Sequence, residues 1–201
     1  MCLNIHHKIT YQKEVAVWNF VKQMQENPSD YQLEVTALIL GMVWGPTLVT
    51  HEFTVGMLTE QTLLGKVPGV AKMMFPLVDV RDAALAHLRS LDSPKAKNQR
   101  IIIVSDNIWF KEMADILAAE FGPHGYKIKT GEIKFWMLKV ASWIDDTAKT
   151  IIPQWDKEQR LSNQLSKEAL GLTYIPYKQT IIETVYALLD HGMIKDKRKK
   201  K

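Results

Sequence analysis

Apolar residues recur along this chain in two rhythms, one helical and one extended. Over residues 14–24 they fall at Val17, Trp18, Val21 and Met24 with polar residues between, the spacing of one helix face. Asn27-Pro28-Ser29-Asp30 is turn chemistry that ends this helix. Residues 33–40 are rich in Val, Leu and Ile and predict a largely buried strand, left through a turn over residues 41–46 marked by Gly41, Gly45 and Pro46. A helix follows over residues 52–64, closed by a loop with Gly65, Pro68 and Gly69. A short strand over residues 77–80 runs into another helix, where Asp82 sits as a favourable first-turn carboxylate.

Ile101-Ile102-Ile103-Val104 is the clearest core strand, because four β-branched residues in a row fit a pleated surface buried on both faces. Ser105 or Asp106 then caps a helix that runs to Phe121, buries Trp109, Met113, Ile116 and Leu117, and stops at Gly122-Pro123. Further helical stretches lie over residues 133–146 and 166–170. A last helix covers residues 179–191, with Ile182, Val185 and Leu189 inward and Gly192 as its stop. Strands alternating with helices make this an α/β or mixed chain rather than a bundle. The strands over 33–40 and 101–104 read as interior strands, so each expects neighbours on both edges. The few strands available leave pairing edges open to another subunit or partner.

Composition narrows the class. With 46% hydrophobic and 24% charged residues in 201, the chain is an ordinary globular protein of one domain's length. Its single cysteine, Cys2, forms no internal disulfide, which fits a reducing, cytoplasmic setting. The longest apolar run, residues 36–49, is too short for a membrane span and is broken by glycine and proline; no secretory leader follows Met1. The net charge of +4 is concentrated at one end. Residues 195–201 carry six positive charges and one negative, and removing that +5 leaves the body at −1. Residues 1–194 are therefore read as the folded part and 195–201 as a solvated, disordered basic tail, with no nucleic-acid surface.

Candidate chemistry is sparse. His6 and His7 are adjacent without a third ligand at zinc-like spacing, so no metal site is expected. His87 reads as a structural histidine. Asp79 and Asp82 read as helix caps and surface contacts, and Asp145-Asp146 as a solvated helix end. No Gly-x-Gly-x-x-Gly turn follows a strand, so no helix N-terminus is prepared for a pyrophosphate.

One string stands apart. Phe75-Pro-Leu-Val-Asp-Val-Arg-Asp-Ala-Ala-Leu-Ala-His87 resembles a segment from the C-terminal half of extended short-chain dehydrogenase/reductases, in the dihydroflavonol-reductase-like and NAD-dependent epimerase/dehydratase group. Other pieces agree in order. Glu14 and Trp18 resemble the family's Ala-Glu-x-x-x-Trp pattern, with Lys13 in the alanine slot. Gly41-Met-Val-Trp-Gly-Pro46 resembles its glycine-x-valine-x-glycine-proline turn, though Ile39-Leu40 replace the usual Asn-Pro. The stretch through Trp109, Phe110, Asp115 and Ile116, and the later Leu170-Gly171-Leu172, follow in sequence.

The resemblance implies the last strands of a Rossmann-like, doubly wound sheet with a small mixed α/β substrate-binding part. It also implies NAD(P)-dependent oxidoreduction or epimerisation of a small hydroxyl- or ketone-bearing substrate, such as a steroid- or flavonoid-like alcohol. Residues 47–74 and 136–143 would lie on the substrate side. The family's tyrosine–lysine pair, in which the lysine charge lowers the tyrosine pKa, falls by spacing on His6 and Thr10, so no catalytic residue is carried over. Tyr174 and Lys178 have the pair's spacing but lie far from its position and enclose Pro176. Gly41 and Val43 match the turn beside the nicotinamide and are the candidate cofactor neighbours. NAD(P) is thus implied by resemblance, without binding by this chain alone. The alternative is a non-catalytic binding or regulatory module that keeps the substrate half.

Overall fold

The computed structural model describes residues 2–26, 33–51, 53–144 and 146–198, the side chains of 2–10 and 147 excepted. The predicted turn at Asn27–Asp30 lies outside them. The first helix, α1 (Cys2–Glu26), is longer than its apolar stripe and buries Val21. Strand β1 (Ala37–Leu40) is shorter than predicted; residues 33–36 carry no regular structure, and Thr36 is instead tied by its hydroxyl to Ala96 O.

The predicted turn at Gly41 is a change of partner. β1 runs parallel to β4 (Arg100–Ile103), with Ala37 opposite Arg100 and Leu40 opposite Ile103. Gly41 N–H still donates to Ile103 O, but the chain then continues extended as β2 (Met42–Trp44), parallel to β3 (Met74–Asp79). A Cβ on Gly41 would sit 2.7 Å from Pro76 O, so only glycine lets the two backbones approach. Helix α2 (Thr54–Leu63) follows, and Gly65 closes it with φ +65.

Helix α3 (Val80–Asp92) grows directly from β3, and its N-cap is Asp79, whose Oδ1 accepts from Arg81 N–H at 2.9 Å. The largest departure from the sequence pattern follows β4. Residues 106–109 form strand β5 (Asp106–Trp109), antiparallel to β3, where Ser105 and Asp106 were expected to cap a helix. The chain reverses at Ser105, which donates both N–H and Oγ–H to Leu77 O. Helix α4 (Phe110–Phe121) starts only after Trp109. It buries Phe110, Met113, Ala114, Leu117 and Phe121, with Ile116 half-buried.

The stretch over 133–146 is split into α5 (Phe135–Ala141) and α6 (Asp146–Ile151); α7 (Gln164–Leu170) and α8 (Tyr177–Asp190) complete the chain, joined by loops and short 3₁₀ turns. Two apolar clusters result. One gathers Trp44, Leu77, Met113, Phe121, Ile181 and Leu188 between the three-stranded sheet and α2, α4 and α8. The other places Val78, Ile101, Ile103, Ala86, Ala169 and Leu170 around the β1–β4 pair with α3 and α7. Part of the basic tail is anchored: Tyr126 Oη donates to Lys195 O and accepts from Lys197 N–H, both at 3.0 Å, and Arg198 reaches Asp190 at 2.9 Å.

Candidate functional site

Polar groups converge where β3 meets α3 and α8. Asp79 is fully buried, against the expectation of a surface contact. Its carboxylate receives Arg81 Nε and Nη2, both at 2.8 Å, and the Thr180 hydroxyl at 2.8 Å. Arg81 also spans to Glu183 at 2.6 Å. Thr184 continues the array, donating to Thr180 O and accepting Gly45 N–H at 2.8 Å. Gly45 holds φ +125, and a Cβ there would meet Val80 and Asp79. Burial pushes the Asp79 carboxyl up, but the Arg81 and Thr180 hydrogen bonds prevail and hold it below the usual range.

Asp82 is also buried. Its Oδ2 accepts Ile175 N–H at 2.9 Å, and burial raises its pKa. These two carboxylates fasten α3 and the start of α8 to β3. They face packed protein rather than a cleft, so they are structural groups.

A second polar feature lies between α4 and the start of α8. An open cavity of about 660 Å³ is lined by Trp109, Ile116, Lys72, Glu112, Tyr177 and Lys178, among others. Tyr177 Oη donates to Glu112 Oε1 at 2.5 Å. That carboxylate beside the phenol pushes the Tyr177 pKa up to about 12, so at neutral pH the group is a hydrogen-bond donor and no base. Sequence reasoning missed this pair, because 65 residues separate its members. Tyr174 is half-buried with its hydroxyl 2.7 Å from Ser166 Oγ, and burial raises its pKa. Lys178 is a neighbour in sequence but lines the cavity instead, so the Tyr174–Lys178 string builds no reactive pair.

His6 and Thr10 lie in α1, and their side chains are outside those described. His87 Nδ1 sits 2.7 Å from Ala83 O within α3, a structural contact. Asp146 is exposed and paired with Lys149 at 2.7 Å; Asp145 lies outside the described residues. Among the described residues no group of three metal-ligating side chains occurs. Gly41 and Val43 occupy the β1–β2 junction, with Val43 half-buried against the second apolar cluster.

No family profile matches the chain. An uncharacterised oxidoreductase of Saccharomyces cerevisiae is 24% identical over 183 residues, covering 88% of this chain and 48% of that protein. The NADPH-dependent methylglyoxal reductase GRE2 of the same organism is 24% identical over 182 residues, with the same coverage. The crystal structure of yeast Gre2 complexed with NADPH superposes with a TM-score of 0.66 at 22% identity, over 90% of this chain and 53% of that one. A nucleoside-diphosphate-sugar epimerase from Pseudomonas aeruginosa gives a TM-score of 0.67 at 16% identity, over 90% and 55%.

The chain is similar in sequence and fold to Gre2-like reductases and nucleoside-diphosphate-sugar epimerases of the extended short-chain dehydrogenase/reductase type. It spans about half the length of the curated relatives it matches, consistent with their C-terminal portion. Its fold is correspondingly part of a Rossmann-like α/β fold. The residues present do not by themselves fit a dinucleotide. Gly41 is explained by the close approach of Pro76 and Val43 by core packing, and no glycine-rich turn offers backbone N–H groups to a pyrophosphate.

Proposed function

We propose that this chain supplies the C-terminal, substrate-side half of a cytoplasmic NAD(P)-dependent oxidoreductase or epimerase acting on a small hydroxyl- or ketone-bearing molecule. In this reading Gly41 and Val43 form a wall beside the nicotinamide, and residues outside this chain provide the pyrophosphate site and the tyrosine–lysine pair. The observation that carries it is the coverage. The match takes up nearly all of this chain but only 48% of a relative named as an NADPH-dependent methylglyoxal reductase.

The open edge of β1 supports the same reading. Ala37 N–H and Gly41 N–H point to β4, so the alternate residues Leu38 and Leu40 turn their backbone groups the other way. Among the described residues no strand pairs with that edge. A parallel strand from a nucleotide-binding half would satisfy it, since parallel sheets are stable when covered on both edges and faces. The test is to sequence the full-length transcript upstream of the Met1 codon. An in-frame segment encoding a strand, a glycine-rich turn, a helix and a Tyr-x-x-x-Lys pair supports the proposal. An in-frame stop directly upstream, with no separate subunit carrying those elements, contradicts it.

A further inference from the structure

Gly192, at φ +69, ends α8 with two bonds back into its last turn, Gly192 N–H to Leu189 O at 3.0 Å and Met193 N–H to Leu188 O at 2.9 Å. The chain then buries Ile194 in the first apolar cluster and brings residues 195–198 to the loop after α4. There the buried Tyr126 holds the segment at two backbone points, donating to Lys195 O and accepting from Lys197 N–H. A lysine-rich chain end is ordinarily solvated on all sides. A buried tyrosine whose hydroxyl is engaged in both directions by such an end is a specific contact.

The cations of this segment sit on a group of rings. Phe121, the last residue of α4, packs on Tyr126 and on Tyr186 of α8, with ring centroids 6.2 and 5.2 Å away. Lys197 Nζ lies over the Tyr126 ring at 5.1 Å, and Arg198 Cζ over the Tyr186 ring at 5.5 Å. Both distances are in the range of a cation–π contact. Tyr186 Oη donates to Glu120 of α4 at 2.7 Å, and Arg198 also reaches Asp190 on the last turn of α8. One short segment therefore joins the end of α8 to the end of α4.

Helix α8 carries this hold to the other side of the fold. Thr184 accepts Gly45 N–H at 2.8 Å, and His191 Nε2 sits 2.9 Å from Thr47 O. We propose that residues 195–198 are a strap that clips α8 to the end of α4 and, through α8, keeps the backbone of residues 45–47 in place. Every contact in the strap lies within this chain, so it does not depend on what covers β1. Under the function proposed above, Thr47 opens the substrate side, and the strap then shapes that wall; the clip itself does not rest on that reading.

Hydrogen exchange of the full chain, read by mass spectrometry, tests the strap. Wild type is compared with Tyr126→Phe, with Lys197→Gln/Arg198→Gln and with a deletion of residues 195–201. Tyr126→Phe keeps the ring and removes only the hydroxyl that holds the segment. Labelling is read over the first minutes, when core amides such as those of Ile101–Ile103 stay unexchanged in wild type. In Tyr126→Phe and in the deletion, exchange should rise about tenfold over residues 186–193 and over residues 45–47, with Ile101–Ile103 still unexchanged. The double glutamine variant should show a smaller rise in the same two places. Added salt should move wild type toward that variant, because it screens partly exposed charges. Wild-type exchange in any of the three variants overturns the proposal and returns the basic end to a solvated tail. A rise confined to residues 186–193 also overturns it, since the strap would then hold only its own anchor. So does a rise that takes in Ile101–Ile103 within the same minutes, which would be general unfolding.

Discussion

Asp79 and Thr180 stand 101 residues apart and share a buried hydrogen bond of 2.8 Å between the Thr180 hydroxyl and Asp79 Oδ2. The bond fixes α8 to the origin of α3, and Asp79 also caps α3. Asp79→Ala removes the cap and leaves the Thr180 hydroxyl without its acceptor, at a cost of about 2–4 kcal/mol. Asp79→Asn keeps a capping oxygen and should cost less. Urea unfolding followed by circular dichroism orders the two variants.

The two carboxylates at this junction respond to acid with opposite signs. The pKa of Asp79 is depressed in the folded chain, so its contribution to stability is present above the ordinary aspartate pKa and is lost as pH falls through the lower, folded value. The pKa of Asp82 is raised, so its burial cost is present above the folded pKa and is relieved as pH falls toward the unfolded value. Asp82→Asn keeps an oxygen for Ile175 N–H and discards the charge. It should leave stability at neutral pH equal or higher, and should remove the acid-side gain seen when Asp79→Asn is the background. A clear loss at neutral pH would show that the charge itself is needed.

Gly41→Ala should destabilise by about 1–3 kcal/mol, the range for forcing extra volume into a packed site, because the new methyl would press on Pro76 O at 2.7 Å. A thermal melt of the chain without any cofactor measures it. An unchanged melting temperature would free Gly41 from this packing role and leave the approach to a cofactor as its remaining explanation.

Tyr177→Phe removes the phenol that donates to Glu112. The loss should be about 0.5–1.5 kcal/mol, and an alkaline absorbance titration should lose the component that ionises near 12.

How far the sequence reaches depends on whether a feature is local. The strand at Ile101–Ile103 and the helix ending before Gly192 are written in β-branched runs and stop signals, and both form. Strand β5 was not legible, because Ser105 and Asp106 are equally good helix caps and only pairing with β3 makes the chain extended there. The burial of Asp79 and Asp82 was hidden for the same reason: their partners Thr180 and Ile175 arrive from the far end of the chain. The family segment around Phe75–His87 was legible as a string, and its role as the strand-to-helix corner carrying the Asp79 cap appears only in three dimensions.

The most direct test of the central claim is a titration of the purified chain with NADPH, and separately NADH, followed by tryptophan fluorescence and checked by calorimetry. A substrate-side half without a pyrophosphate site should show no saturable response up to millimolar cofactor. Saturation in the micromolar range would contradict the account and locate a dinucleotide site within these residues.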